Sequence, residues 1–163
     1  MTKRIIAGAM LAALLPLSAA HAADDKMLLS LATCQESWRD WKQDPARGRM
    51  FREAVEPNFR AQDREPYYLP IRPTTLLGHP VDRLYPDSVG MAVGFSVLAG
   101  ASFDAVKASL EQQVGKPITR CESEGGARSC ELKIAEKKTV IIMEAARGKN
   151  PQTLFGCYYF YAQ

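Results

Sequence analysis

Apolar residues recur at helical spacing near the start of the chain. One stripe, with alternating intervals of four and three residues, runs through residues 26–42: Met27, Leu31, Cys34, Trp38 and Trp41. The stripe predicts a single helix, with Asp24 or Asp25 as its N-cap and Cys34 on its buried side. Both tryptophans are interpreted as core residues, and the alternative is an exposed anchor for a partner.

Two further helices are bounded by capping residues. Asp44 and Pro45 are typical of an N-cap and a first turn, and they predict a short helix that Pro57 ends. Ser102 predicts the N-cap of a third helix, which Gly115 closes. The third helix has its own apolar stripe: Phe103, Val106, Leu110 and Val114.

From residue 89 onward the apolar period changes to two, which predicts β-strands. The first strand has one bulky face: Val89, Met91, Val93, Phe95 and Val97. Its other face is small: Gly90, Ala92, Gly94 and Ser96. A face this small lets a neighbouring backbone come very close. Further strands are predicted at residues 118–124, 128–134, 139–144 and 153–162.

Prolines set residues 57–88 apart, because six of the ten prolines of the chain lie there. So many prolines exclude a helix and allow the segment to join a sheet only at an edge. The segment is nevertheless too rich in aliphatic and tyrosine side chains for a disordered linker. It is predicted to be an ordered, extended wrap that covers the core, with a binding surface as the alternative.

These elements together predict an α+β fold. The sheet is expected to be mainly antiparallel and five-stranded, with one helix packed on it and two N-terminal helices alongside. The last strand is apolar on both faces, which places it inside the sheet. Two disulfides are expected to fasten this fold.

Residues 1–22 have the pattern of a secretory signal peptide. Lys3 and Arg4 precede an apolar run, and residues 20–22 (Ala-His-Ala) offer small side chains where a signal peptidase cleaves. Residues 23–163 are therefore predicted to form a single exported α+β domain, periplasmic or secreted. No later apolar run is long enough to predict a membrane span.

The small net charge argues against two classes of partner, polyanions and anionic lipids. The whole chain has a formal net charge of +3, which falls to +1 without Lys3 and Arg4. A nearly neutral domain lacks the basic surface that binds polyanions or anionic lipids. Neither nucleic acid nor a membrane surface is therefore predicted as a partner.

The four cysteines of an exported chain predict two disulfides, and they lack the C-x-x-C spacing of a zinc site. A Gly-Gly pair at residues 125–126 lies between two strand-like segments and suits a two-residue hairpin turn. Cys121 and Cys130 are equally far from this turn, so they oppose each other at disulfide distance. By elimination Cys34 bonds Cys157 and ties the first helix to the last strand.

One short cluster is the best catalytic candidate: His79, Asp82, Asp87 and Ser88. A histidine near carboxylates can act as a general base or as a weak metal ligand. The glycine and prolines around it make an ordinary turn the preferred interpretation. No catalytic residue, metal or cofactor is therefore predicted, and a hydrolase using His79 and Asp82 is the least favoured alternative.

Compartment, size and the absence of a catalytic motif favour a binding function. The chain is predicted to be a non-enzymatic periplasmic binding protein with a protein partner. Within that class we expect an inhibitor or immunity-type protein, which neutralises an envelope-targeting enzyme or toxin. The alternative is a small envelope accessory or ligand-binding domain.

Such a protein needs rigid aromatic and arginine anchors, because ordering flexible side chains weakens binding. The proline-rich wrap offers four of them, which are the predicted partner-binding residues: Tyr67, Tyr68, Arg72 and Arg83. The loop at residues 146–152, with Arg147 and Lys149, is the second candidate surface.

Overall fold

The computed structural model of the protein describes residues 19–89 and 92–159. Within these ranges the chain forms four helices: α1 (Ala19–Ala32), α2 (Trp38–Gln43), α3 (Pro45–Val55) and α4 (Phe103–Val114). The predicted signal peptide, residues 1–22, lies outside the described residues apart from 19–22, which belong to α1. None of the helices in the described part of the chain is long and apolar enough to cross a membrane.

The predicted single helix over residues 26–42 is wrong, because the chain leaves helical geometry between α1 and α2. Cys34 has a φ of 62°, in the left-handed region that ends helices. The Ser37 side chain then accepts a hydrogen bond from the Asp40 N–H and starts α2. Cys34 therefore lies in a turn and not on the buried side of a helix.

The caps predicted for the other two helices are confirmed. Asp44 accepts a hydrogen bond from the Ala46 N–H at 2.8 Å at the start of α3. Ser102 accepts one from the Ala105 N–H at the start of α4. Gly115 ends α4 with a φ of 67°, a conformation that glycine adopts at little cost.

The sheet of the described residues has nine strands and not the five predicted. Its strands are β1 (Phe59–Ala61), β2 (Tyr68–Pro70), β3 (Thr75–Leu76), β4 (His79–Val89), β5 (Ala92–Ala99), β6 (Arg120–Glu124), β7 (Ala127–Ala135), β8 (Lys138–Ala146) and β9 (Gln152–Tyr159). The strand order is β1-β2-β4-β5-β9-β8-β7-β6, with β3 paired to β4. Each recorded pair is antiparallel, so the α+β class and the mainly antiparallel sheet are confirmed.

The proline-rich segment, residues 57–88, supplies most of the additional strands. It contains β1, β2, β3 and nearly all of β4, and β4 lies between β2 and β5. The expectation that prolines confine the segment to a sheet edge is therefore wrong for β4, which contains Pro80 and Pro86. Pro86 is tolerated because β2 pairs with β4 at Leu84 only, which leaves little ladder to interrupt on that side. Pro80 lies where β4 pairs with the two-residue strand β3.

The predicted strand beginning at Val89 is divided between two strands, β4 and β5. Val89 ends β4 and Ala92 begins β5, and residues 90–91 lie outside the described residues. Phe95 and Val97, on the predicted bulky face, are fully buried. The pattern therefore predicted the buried face of β5 correctly but not the residue at which the strand starts.

Glycines on β5 and β9 bring these two strands very close together. A Cβ atom on Gly94 would lie 1.9 Å from the carbonyl oxygen of Cys157. A Cβ atom on Gly156 would lie 2.3 Å from the carbonyl oxygen of Phe95. Because both neighbours are backbone atoms, only glycine fits at either position, as the small face of β5 predicted for Gly94.

An aromatic core joins α2 and α3 to β5. The ring of Trp38 lies 4.7 Å from that of Phe51 and 5.9 Å from that of Phe95, measured between centroids. Phe51 and Phe95 are 6.0 Å apart in an edge-to-face arrangement. Trp38 and Trp41 are both buried, so their interpretation as core residues is confirmed.

The hairpin disulfide and its register are confirmed. Cys121 pairs with Cys130 across β6 and β7, with their Cα atoms 4.0 Å apart. Gly125 and Gly126 have φ values of 56° and 85°, as a two-residue turn between twisted strands requires.

The second disulfide, Cys34–Cys157, is also confirmed and fastens the turn between α1 and α2 to β9. The hydroxyl of Tyr159 holds the same turn, because it accepts a hydrogen bond from the Trp38 backbone N–H at 3.2 Å. It also donates to the Glu36 carbonyl oxygen at 3.1 Å. A covalent bond and two hydrogen bonds therefore fix the position at which Trp38 enters the core.

A network of ion pairs ties α4 to strands β7 and β8. The Glu144 side chain is only 8% exposed and lies 3.3 Å from Arg128 Nη2 and 2.6 Å from Arg147 Nε. Arg128 also pairs with Asp104 of α4 at 2.8 Å and lies over the Phe103 ring. Burial alone would raise the pKa of Glu144, but hydrogen bonds from the two guanidinium groups outweigh it and hold the pKa below its ordinary value.

This network predicts an acid-sensitive contribution to stability. Because the folded-state pKa of Glu144 is depressed, its contribution is fully present above the ordinary glutamate pKa of about 4.3 and is lost as the pH falls through the folded-state pKa. Urea unfolding between pH 3 and pH 7 should show a shallower acid slope in Glu144→Gln than in the wild type. Glu136→Gln, in the exposed turn between β7 and β8, is the matched variant that keeps these ion pairs. Parallel slopes in the wild type and Glu144→Gln would contradict the prediction.

Candidate functional site

Two of the four predicted partner-binding residues come together on the surface. The guanidinium carbon of Arg83 lies 4.7 Å from the ring centroid of Tyr67. Tyr85 completes the group, because its ring is 5.6 Å from that of Tyr67 and its hydroxyl accepts a hydrogen bond from Arg83 Nη1 at 3.3 Å. We call Tyr67, Arg83 and Tyr85 the tyrosine–arginine cluster.

The other two predicted residues lie elsewhere. The Tyr68 ring packs edge-to-face on Phe51, 6.3 Å away, and so belongs to the rim of the core. Arg72 Nε donates a 2.6 Å hydrogen bond to Asn58 Oδ1 and fastens the chain beside β1. The four residues are therefore not one patch, because Tyr68 packs on Phe51 and Arg72 bonds Asn58, whereas Tyr67 and Arg83 contact each other.

Sequence reasoning missed Tyr85, although a signal for it was present. Arg83 and Tyr85 are two residues apart on β4, and residues at that spacing share one face of a strand. The hydrogen bond from Arg83 to Tyr85 raises the pKa of the Arg83 guanidinium, although partial burial acts in the opposite direction. The cluster thus contains a permanent cation that lies over the half-buried Tyr67 ring and donates a hydrogen bond to the half-buried Tyr85.

A cleft of about 350 Å³ adjoins the cluster and shares Tyr67 with it. It lies between the helices α2 and α3 and the chain around β1 and β2. Aromatic side chains form much of its wall: Trp38, Phe51, Tyr67 and Tyr68. Its charged groups are Lys42, Arg52 and Glu65. We call it the Trp38 cleft.

The indole N–H of Trp38 is buried and is not exposed in the cleft. The residue is only 8% exposed, and its indole Nε1–H has no hydrogen-bond acceptor among the described residues. Trp41, the other tryptophan, donates its indole N–H to the Glu36 carboxylate. A buried donor without an acceptor is uncommon in folded proteins, because water or a protein group usually satisfies it.

The predicted catalytic candidates do not assemble into one site. His79 Nε2 lies 3.0 Å from the Ser109 hydroxyl of α4, and Asp82 accepts a 2.6 Å hydrogen bond from Gln152. Asp87 forms an ion pair with Lys42. The side chain of Ser88, the fourth candidate, lies outside the described residues. Each described member thus has its own structural partner.

The second candidate surface, residues 146–152, is tied back to the sheet. Arg147 bonds the Glu144 carboxylate and also donates to the carbonyl oxygen of Gly126 in the hairpin turn. Lys149 remains exposed beside Gly148, whose φ of 94° bends the loop. Arg147 therefore bonds to β8 and to the hairpin turn, whereas Arg83 contacts two tyrosine side chains.

The chain matches no protein-family model, no curated protein and no solved structure. Its function must therefore be argued from its own surface. Two adjoining features form the candidate functional site: the tyrosine–arginine cluster, whose anchors are already held in place, and the Trp38 cleft, which offers a concave aromatic surface.

Proposed function

We propose that this protein is a non-enzymatic, exported binding protein of the inhibitor or immunity type, which neutralises an enzyme or toxin that attacks the cell envelope. The observation that carries the proposal is the tyrosine–arginine cluster. Tyrosine and arginine, together with tryptophan, are enriched among the residues that dominate protein–protein binding energy. The stacking of Arg83 on Tyr67 and its hydrogen bond to Tyr85 hold the cluster in one arrangement, which lowers the entropy lost on binding.

The two disulfides support an extracytoplasmic location. Disulfides form and persist in oxidising compartments such as the periplasm and are rare in the cytosol. All four cysteines of the chain are used in them. A domain fastened in this way suits an inhibitor that has to remain folded beside a degradative enzyme.

A small ligand-binding domain of the envelope is the second candidate, and the Trp38 cleft favours it. A hydrolase using His79 and Asp82 has the weakest support, because these two side chains are engaged by Ser109 and Gln152 respectively. The two leading candidates use different residues and are therefore separable by mutation.

Cross-linking in cells followed by substitution of Arg83 tests the proposed inhibitor function. A photoreactive group at Pro66, next to Tyr67, should cross-link in intact cells to one envelope-directed enzyme or toxin, whereas the same group at Lys137 should not. The wild-type protein should then inhibit that purified partner. Arg83→Ala should raise the inhibition constant at least tenfold, since it removes the central cation of the cluster.

Arg120→Ala is the matched control, because Arg120 is an exposed, ion-paired arginine at the far end of the sheet on β6. It should change the inhibition constant by less than about twofold. A cross-linked partner that keeps its full activity in the presence of the wild-type protein would overturn the proposed function. Equal effects of Arg83→Ala and Arg120→Ala would show that the cluster is not the binding surface.

A further inference from the structure

We propose that the hairpin disulfide, Cys121–Cys130, is a site of thiol–disulfide exchange, at which a dithiol that enters from the edge of the sheet is oxidised. A thiolate of the dithiol attacks Cys121, and Cys130 is the leaving group. The inference goes beyond the proposed inhibitor function and does not depend on it. Arg83 and Tyr85 of the tyrosine–arginine cluster lie on β4, which four other strands separate from β6.

The exposure of the four cysteines is the first argument. Cys34 and Cys157 are both buried in the core. Cys121 belongs to β6, a strand whose five residues are all exposed, whereas its partner Cys130 is buried. Exchange requires a thiolate to contact the sulfur that it attacks, so its rate depends on access to that sulfur. Cys121 is therefore the bonded cysteine at which a dithiol in solution can react.

The position of β6 in the sheet is the second argument. β6 is the last strand, and within the described part of the chain it pairs only with β7. Exchange proceeds by attack of a thiolate on one sulfur while the other sulfur leaves, and the three sulfurs form a line. Because Cys130 lies on β7, a thiolate in line with the bond approaches Cys121 from the edge of the sheet. No described strand has to be displaced to make room for it.

A cleft of about 380 Å³ gives the thiol a place beside the bond. Cys121 and Cys130 both line it, together with Phe103 and Lys107 of α4. Ser123 of β6 also lines it, so the cleft extends along the edge strand. We call it the hairpin cleft. Its volume is within the range of small-molecule pockets and admits either a small thiol or a cysteine of an extended chain.

The charges of the hairpin cleft do not exclude an anionic thiolate. Its cations are Arg128 and Lys107, and its carboxylates are Asp104 and Glu122, so their charges balance. Arg128 is two residues before Cys130 on β7 and shares a face of the strand with it. A nearby cation favours the thiolate form of a leaving cysteine. Because Arg128 is already ion-paired, we expect this assistance to be modest.

Opening of the hairpin disulfide leaves the core closed. The side chains of β6 are all exposed, whereas the Cys34–Cys157 bond is buried and holds the turn that carries Trp38. The two-glycine turn and the ladder between β6 and β7 place Cys121 opposite Cys130, and neither depends on the bond alone. The two thiols therefore stay together, and the disulfide can form again on an intact fold.

The proposed reaction has two steps and consumes only the dithiol. One sulfur of the dithiol bonds to Cys121 Sγ while the Cys121–Cys130 bond breaks, and Cys130 leaves as a thiolate. The second sulfur of the dithiol then attacks the first and displaces Cys121. The two protons of the dithiol pass through water to the two cysteines. The hairpin is thereby reduced by two electrons, and the dithiol is oxidised to a disulfide.

Alkylation of the folded, oxidised protein tests the proposal. The protein is incubated without denaturant with dithiothreitol or with a reduced Cys-Gly-Gly-Cys peptide, at equal thiolate concentrations, and peptide mass spectrometry locates the alkylated thiols. Cys121 and Cys130 should become alkylated at least about tenfold faster than Cys34 and Cys157. In urea, where burial is lost, the difference should fall to about threefold or less. Faster reaction with the peptide identifies a cysteine-bearing chain as the source of the thiol, and faster reaction with dithiothreitol identifies a small molecule; either supports the proposal.

A monothiol and two variants define the site of attack. Glutathione should form its mixed disulfide on Cys121, with the freed Cys130 captured by alkylation. Ser123→Tyr puts an aromatic ring at the wall of the hairpin cleft and should slow the opening of the hairpin bond about fivefold, because exchange depends on access. Ser123→Ala is the matched control and should change the rate by less than about twofold.

Any of four results would overturn the proposal: no opening of the hairpin bond in the folded protein, opening of both disulfides at the same rate, glutathione on Cys130 alone, or an unchanged rate in Ser123→Tyr. These results leave the inhibitor function standing, since that function is tested through Arg83. Conversely, a protein that inhibits no envelope enzyme can still exchange its hairpin disulfide with a dithiol.

Discussion

Replacing Cys34 and Cys157 together by alanine is expected to lower the free energy of unfolding by about 5 kcal/mol. The two cysteines are 123 positions apart, so their bond restricts nearly the whole unfolded chain. Both are buried, and the bond also holds the turn that carries Trp38 into the core. Urea unfolding of the oxidised proteins measures the loss.

The hairpin disulfide, Cys121–Cys130, is the control for the effect of removing Cys34–Cys157. Cys121 and Cys130 are only nine positions apart, and their replacement by alanine should cost about 3 kcal/mol by the same chain-entropy reasoning. If the double replacement in the hairpin proved the more damaging, restriction of the unfolded chain would not be the main contribution of Cys34–Cys157.

Local turn chemistry is the reason that the hairpin could be predicted from sequence. A Gly-Gly pair fixes both the position of the turn and the register of the strands beside it, so the partner of Cys121 follows without knowledge of the remaining fold. The pairing of Cys34 with Cys157 then followed by elimination. Neither inference required a long-range contact to be seen in advance.

The helix predicted over residues 26–42 failed because its apolar spacing continues across a break. The stripe from Cys34 to Trp38 keeps an interval of four residues, yet the chain between them forms a turn. The Ser37 cap and the hydrogen bonds of the Tyr159 hydroxyl stabilise that turn. The Tyr159 contacts join residues more than 120 positions apart, and spacing within one segment does not reveal them.

The missed strands have a related cause. β1, β2 and β3 are two or three residues long, too short for an alternating pattern, and they exist because neighbouring strands pair with them. In the candidate site, Tyr67 and Arg83 were predicted because their residue types are typical anchors. The Trp38 cleft was not predicted, because it depends on how α2, α3 and the chain around β2 pack together.

Gly156→Ala and Gly94→Ala should each destabilise the protein by about 3 kcal/mol or more, or prevent folding. The new Cβ atom would lie within 2.3 Å of a backbone oxygen on the neighbouring strand, a distance that no change of rotamer can relieve. Separating β5 from β9 would break the ladder between the two strands that carry Phe95 and Cys157. Thermal and urea unfolding measure the loss.

Gly48→Ala is the matched control for these glycine substitutions. Gly48 lies within α3, and a Cβ atom there would have no neighbour closer than 3.8 Å. Alanine favours the helix over glycine, so this variant should gain about 0.5–1 kcal/mol. A loss of stability at Gly94 and Gly156 and a gain at Gly48 would show that the loss comes from the close approach of two strands. The general flexibility of glycine would give a gain at each position. Wild-type stability in Gly156→Ala would mean that β5 and β9 are not held at this distance, and the small face of β5 would need another explanation.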